Sequence, residues 1–186
     1  MTTRTFSLPD RSGDGPQIDG PNPHTQTSQN APRVMQEELF ERAAALPGVT
    51  VADSLVSVPG ARAFMLSEAH AKGPAEAFQK GREFAHIHPA HDGSFHMTLP
   101  EEAARAAYAK GWGEPHPKSG TPLIFGPRDS EELETVWALF LMSYRFATTP
   151  EADAWTDHDP LSHPDLVRMT LVQLADLPFD AKKVRA

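Results

Sequence analysis

The sequence predicts an α+β fold, a small and mostly antiparallel sheet with three helices packed on one face. Short apolar-alternating runs occur in adjacent pairs bounded by turn residues, which is typical of antiparallel strands. Three longer runs have helical apolar spacing, and no repeated strand–helix–strand pattern is evident. We expect an irregular, flexible arm over 1–32, one domain over 33–147, and a C-terminal extension over 148–186 with one helix at 164–175.

The first half of the domain begins with a helix over 33–46. Pro32 suits its first turn, and Pro47-Gly48 ends it. Two β-rich runs follow, joined by the turn Val58-Pro59-Gly60, and glycines and proline interrupt the segment after them. These patterns predict strands over 49–56 and 61–66 and a mobile loop over 67–80.

The second half contains the histidine-rich strands and the longest helix. Asp129 and Glu132 form a possible capping box at the start of that helix, and an apolar stripe follows. Pro100 and Gly111 bound a shorter helix. The predicted elements are strands over about 83–90, 94–99 and 122–125, and helices over 101–110 and 129–146.

Composition excludes several classes of function. The net charge is −8 without a basic run, which disfavours nucleic acid and anionic membranes as partners. The chain has no cysteine, so disulfides, thiolate nucleophiles and Cys-ligated zinc are excluded. The longest apolar run, 136–142, is far shorter than the ~20 residues that cross a bilayer. We expect a soluble, cytoplasmic protein that binds a small-molecule substrate, with its oligomeric state left open.

Four of the nine histidines lie within eleven residues. Imidazole exchanges protons near neutral pH and is the commonest metal ligand, so this cluster is the predicted centre of the chemistry. Its geometry depends on the hairpin at Asp92-Gly93. A two-residue loop would put His86 and His88 on one face and His91 and His96 on the other. A three-residue loop beginning at His91 would set His88 opposite His96, with His86 on the same face, and we favour it.

Two further segments could line a pocket. Glycines flank Trp112, so the backbone can turn sharply and present the indole as a wall. His116 stands between two prolines, which would hold its imidazole in a fixed position. Arg128, at the entry to the long helix, could bind a carboxylate or an enolate.

These motifs resemble the fungal luciferases, in the same order and with similar spacing over roughly 80–147. The residues that carry the resemblance are Arg82-Glu83-Phe84-Ala85-His86-Ile87-His88, His91-Asp92, His96, Lys110-Gly111-Trp112-Gly113, His116-Pro117, Gly126-Pro127-Arg128-Asp129 and Glu131-Glu132.

Fungal luciferases oxidise 3-hydroxyhispidin, a hydroxylated 2-pyranone, with molecular oxygen. The resemblance therefore implies an oxygenase-like site without flavin or haem. The implied catalytic residues are His86, His88, His96 and His116, and the implied substrate-binding residues are Trp112, His91, Asp92 and Arg128.

Three functions fit these patterns. The first is a cofactor-independent oxygenase that uses molecular oxygen as co-substrate, with His88 or His96 removing the proton of a small enol or pyranone-like substrate. The second is an oxygenase or hydrolase in which His86, His88 and His96 bind a divalent transition metal. The third is a non-enzymatic ligand-binding module whose histidines respond to pH.

Overall fold

The structure, a computed structural model, describes residues 8–150. It confirms the α+β prediction, with a six-stranded antiparallel sheet, a separate two-stranded ladder and three helices. The predicted helix at 164–175, and the rest of the extension after residue 150, lie outside the described residues. Within 8–150, none of the helices has the length and apolarity that a membrane span requires.

In chain order, the helices are α1 (Arg33–Ala44), α2 (Glu101–Ala109) and α3 (Ser130–Thr148). The strands are β1 (Ile18–Asp19), β2 (Thr25–Gln26), β3 (Val49–Asp53), β4 (Arg62–Leu66), β5 (Glu83–Ile87), β6 (Phe95–Met97), β7 (Gly113–Pro115) and β8 (Pro122–Ile124). The main sheet has the order β3-β4-β5-β6-β8-β7. Edge strand β7 was not predicted, because its Gly-Glu-Pro sequence is unlike that of a strand.

The apolar core lies between the main sheet and α3. The Asp129 side chain accepts hydrogen bonds from the backbone N–H groups of Glu131 and Glu132, and so caps this helix. On its buried face, Phe140 packs edge-on against Phe64 and Phe84 of the sheet, with ring centroids 5.0 and 5.6 Å apart. Because side chains alternate along a strand, the residues between these core positions point to the opposite face of the sheet.

The β5–β6 hairpin has a different register from the one expected. His86 pairs with His96, Ile87 pairs with Phe95, and the connection is a five-residue loop over 89–93. The three-residue prediction was wrong because the turn begins earlier, where the Pro89 carbonyl accepts hydrogen bonds from the N–H groups of residues 92 and 93. The observed register differs from the predicted register by two residues. Side chains on a strand alternate with a period of two, so His86, His88 and His96 still share one face.

A β-bulge in β5 brings an acidic residue onto this histidine face. Phe64 pairs with Ala85 and Met65 with Glu83, which leaves Phe84 as the extra residue. The bulge directs Phe84 into the core and lets Glu83 reach the ring of His86.

The segment before α1 packs against the domain, as an arm wrapped on its surface rather than a free tail. Leu8, Arg11, His24 and Gln26 are buried, and β1 pairs with β2. The expectation of an irregular arm rested on the scarcity of apolar residues. In the structure, polar side chains attach this segment through buried hydrogen bonds instead.

The close approach of β7 to β8 generates a stability prediction. A Cβ added at Gly113 would lie 2.1 Å from the carbonyl oxygen of Leu123. We expect Gly113→Ala to lower the free energy of unfolding, measured by urea denaturation, by roughly 2–3 kcal/mol. Gly15→Ala is the control, because no atom of the described residues lies within 4 Å of its added Cβ. Equal stability of both variants would contradict the packing described for this edge.

Candidate active site

The histidine face borders a cavity of about 670 Å³. Five imidazoles contribute to its lining, one from the N-terminal segment, three from the β5–β6 hairpin and one from the β7–β8 connection: His24, His86, His88, His96 and His116. Its other walls include Val56, Val58 and Pro59 from the β3–β4 connection and Lys118, Ser119 and Thr121 from the β7–β8 connection. Gln79 lines it as well, from the segment that was predicted as a mobile loop.

Three of the five imidazoles form a compact group, the histidine triad of His86, His88 and His96. Each is at least 94% buried, and their ring centroids lie 5.2–5.4 Å apart. One ring nitrogen from each can be chosen so that all three lie within 4.8 Å of one another. These are the described residues that could hold a metal ion together.

Each triad ring has its Nδ1 atom beside an oxygen acceptor. The distances are 2.8 Å from His86 to Glu83 Oε1, 2.7 Å from His88 to Asp92 Oδ2, and 3.3 Å from His96 to the Pro122 carbonyl. Carboxylates and carbonyls accept hydrogen bonds, so Nδ1 carries the proton in each ring. The other nitrogen, Nε2, therefore has a free lone pair when the ring is neutral. His86 Nε2 is buried and has no hydrogen-bond partner among residues 8–150.

The surroundings favour neutral rings at His86 and His96 and charged carboxylates at Glu83 and Asp92. Burial, reinforced by the charges of His86 and His88, lowers the pKa of His96 to about 2. Burial also lowers the pKa of His86. Burial alone would raise the pKa of Glu83 and Asp92, but hydrogen bonds from the histidines and from nearby N–H and O–H groups hold both below their usual values.

His24 and His116 form the outer part of the cavity. Their ring centroids lie 4.9 Å apart, and His24 is 5.4 Å from His96. The Nε2 atom of His24 lies 2.9 Å from Glu114 Oε1. His116 Nδ1 accepts hydrogen bonds from the N–H groups of Lys118 and Ser119, so its Nε2 carries the proton. Burial, with the charges of His24 and Lys118, lowers the pKa of His116.

Three predicted substrate-binding residues lie away from the cavity lining. Trp112 is buried in the core, where its indole N–H donates to the Pro9 carbonyl. Arg128 binds Glu132 and the Ser12 carbonyl, because the N-terminal segment covers the start of α3. His91 is exposed on the hairpin loop.

The fourth, Asp92, is fully buried behind His88 rather than in the cavity wall. Its carboxylate also accepts hydrogen bonds from the Ser94 N–H and O–H groups and from the backbone N–H of Gln26. The N-terminal segment thus helps to hold the residue that orients a triad ring.

Sequence reasoning missed Glu83, His24 and Gln26 as parts of this region. His24 and Gln26 are distant in sequence from the histidine cluster and match no motif, so no local signal could have found them. Glu83 stands three residues before His86, a spacing that suggests opposite faces of a regular strand. Glu83 reaches His86 because of the β-bulge at Phe84, and the sequence analysis did not predict that bulge.

Comparisons with known proteins agree with the motif resemblance. Residues 81–143 match the family model described as a Luciferase domain. The resemblance is confirmed. Curated luciferases from Armillaria ostoyae, Armillaria mellea and Neonothopanus nambi are 34%, 32% and 30% identical to this chain over 80 residues.

The similarity is confined to one part of the proteins. The aligned 80 residues cover 38% of this chain and 30% of the length of each of these relatives, so the chain spans less than a third of them. The family match includes the histidine triad together with Glu83 and Asp92, whereas His24 lies before it. No solved structure matches the chain.

The buried triad predicts a characteristic sensitivity to acid. Between pH 6.5 and pH 2, the His96 ring binds a proton in the unfolded chain but not in the folded one. Stability is therefore lost as the pH falls below 6.5, and His96 alone should account for about 2 kcal/mol between about pH 7.5 and about pH 5. We expect His96→Gln to reduce this pH-dependent loss by that amount in urea denaturation with EDTA present.

The control for this measurement is His91→Gln, because the His91 ring is exposed on the hairpin loop. It should keep the pH dependence of the unmodified protein. An identical pH dependence in the His96 variant would contradict the description of a ring that stays neutral in the folded state.

Proposed function

We propose that the protein is a luciferase-like oxygenase that oxidises a small enol substrate with molecular oxygen in the histidine-lined cavity. The observation that carries the proposal is the triad itself, in which three buried imidazoles keep Nε2 lone pairs free beside a cavity. The similarity of the same segment to luciferases supports the reaction class. The absence of cysteine suits a reducing compartment, and a cytoplasmic location is part of this proposal.

The cavity has properties suited to such a substrate. Its volume of about 670 Å³ lies in the range of small-molecule sites, and Val56, Val58 and Pro59 supply apolar wall. Proton donors lie at its outer part, the Nε2–H group of His116 and the Lys118 side chain. These donors could bind the oxygen of an enolate while the triad acts on the reacting end.

The proposed reaction joins the substrate to dioxygen. Loss of the enol proton gives an electron-rich enolate, whose carbon can be oxidised by molecular oxygen. A carbon–oxygen bond forms, and dioxygen is reduced to the peroxide level as the carbon is oxidised. The proton released from the enol is transferred to the distal oxygen. The product is a hydroperoxide that contains all atoms of the substrate and of dioxygen. In the cofactor-independent form of this proposal, the free Nε2 of His88 accepts the enol proton, because the low pKa of His96 makes that ring too weak a base.

Oxygen uptake with 3-hydroxyhispidin as the probe tests this function. We expect consumption of oxygen by the unmodified protein and a loss of at least about 100-fold in kcat/KM for His88→Ala, because one of the three triad rings is removed. His91→Ala is the matched control, since that ring lies on the same hairpin but is exposed. It should retain the unmodified rate.

Two results would count against the proposal. Equal rates for both variants would remove His88 from the chemistry. Tight binding of the probe in calorimetry without oxygen uptake would favour a ligand-binding module over an oxygenase. Light output is recorded separately, because oxygen uptake alone decides the reaction class.

A further inference from the structure

We propose that the histidine triad binds one divalent first-row transition-metal ion through the Nε2 atoms of His86, His88 and His96. This inference rests on the proposed function for what the ion acts on, since it places the ion in the same cavity. Binding of the ion itself is argued from the arrangement of ligands, hydrogen bonds and charges around the triad.

The ligand set fits a catalytic metal centre. Three neutral imidazoles suit zinc, iron, nickel or copper, and three protein ligands leave a coordination position open for a small molecule. The ring nitrogens lie within 4.8 Å of one another, so an ion placed between them would need only small movements of the rings. Rotations that move each ring inward by less than about 1 Å would bring them to metal–nitrogen distances of about 2.1 Å.

The hydrogen bonds behind the triad match those of metal-ligating histidines. Such histidines donate their second ring N–H to a carboxylate or a backbone carbonyl, which fixes the tautomer and the ring direction. Here Glu83, Asp92 and the Pro122 carbonyl each accept from one triad Nδ1. In the part of the chain that the structure describes, the opposite nitrogen of His86 is buried without a hydrogen-bond partner, which is costly unless something binds it.

The buried carboxylates also call for a cation. Glu83 accepts hydrogen bonds from the Leu55 N–H and the Ser54 O–H, and Asp92 accepts from Gln26 and Ser94, so each is surrounded by donors. Within residues 8–150, the ion pairs of these two acids involve His86 and His88 and no lysine or arginine. A divalent ion on the triad would balance their two formal negative charges.

The two outer histidines are arranged differently and are left out of the ligand set. His116 uses Nδ1 to accept backbone N–H groups, so the nitrogen it has left carries a proton and cannot bind a metal ion without losing it. His24 has its Nε2 beside Glu114, and its Nδ1 is buried without a hydrogen-bond partner among residues 8–150, but neither nitrogen belongs to the group that lies within 4.8 Å. The open position of the ion would therefore face the part of the cavity where His24 and His116 can contact a substrate.

Cobalt(II) is the probe that tests this site, because its visible absorption reports both binding and coordination geometry. Chain prepared without a histidine tag and stripped with EDTA should bind one equivalent in calorimetry and develop d–d absorption bands. We expect His88→Ala and His96→Ala each to weaken binding by at least about 100-fold. Glu83→Gln, which keeps all three ligands, should weaken it by about 10–100-fold. His91→Ala should bind like the unmodified chain.

Absence of stoichiometric binding by the unmodified chain would overturn the inference, and this measurement needs no variant that folds. Equal affinity of the triad variants, with folding checked by circular dichroism, would also overturn it, because the ion would then bind elsewhere. The proposed function is tested separately, by the oxygen-uptake assay. A chain that binds cobalt but oxidises no enol keeps the metal site and loses the oxygenase. Full oxygen uptake by chelated, metal-free protein keeps the oxygenase and removes the ion from its chemistry.

Discussion

The hydrogen bonds from three Nδ1–H groups to buried oxygen atoms are the interaction on which the site depends. Each bond sets the tautomer of one triad ring, and together they leave three Nε2 atoms available to the same small volume. Without these acceptors, a neutral imidazole could carry its proton on either nitrogen. The nitrogen that carries the free lone pair would then not be fixed in any of the three rings.

Two of the three acceptors are brought to the site by irregular features of the fold, and the third by regular strand pairing. The bulge in β5 brings Glu83 to His86, the five-residue hairpin loop brings Asp92 behind His88, and the pairing of β6 with β8 brings the Pro122 carbonyl to His96. The N-terminal segment adds a hydrogen bond to Asp92 and a fourth imidazole, His24, beside the triad. Departures from regular strand geometry thus coincide with the site, as they commonly do next to active sites.

Local sequence patterns predicted much of the fold, but they could not predict polar contacts between segments that are distant in sequence. The capping residue Asp129 and the strand pairs are signalled within a few residues, and their prediction was accurate in kind. The shared face of His86, His88 and His96 followed from the period of two, even though the predicted register was wrong. Burial of His24 and Gln26, and the core position of Trp112, depend on packing between distant segments, so no spacing rule could show them.

Nitrogen-15 NMR of the histidine rings, recorded on metal-free protein at mildly alkaline pH, tests the central claim directly. Long-range couplings distinguish the Nδ1–H from the Nε2–H tautomer of each neutral ring. We expect the Nδ1–H form for His86, His88 and His96 and the Nε2–H form for His116. The Nε2–H form at two or more triad rings would contradict this expectation, because their free lone pairs would then point away from the cavity.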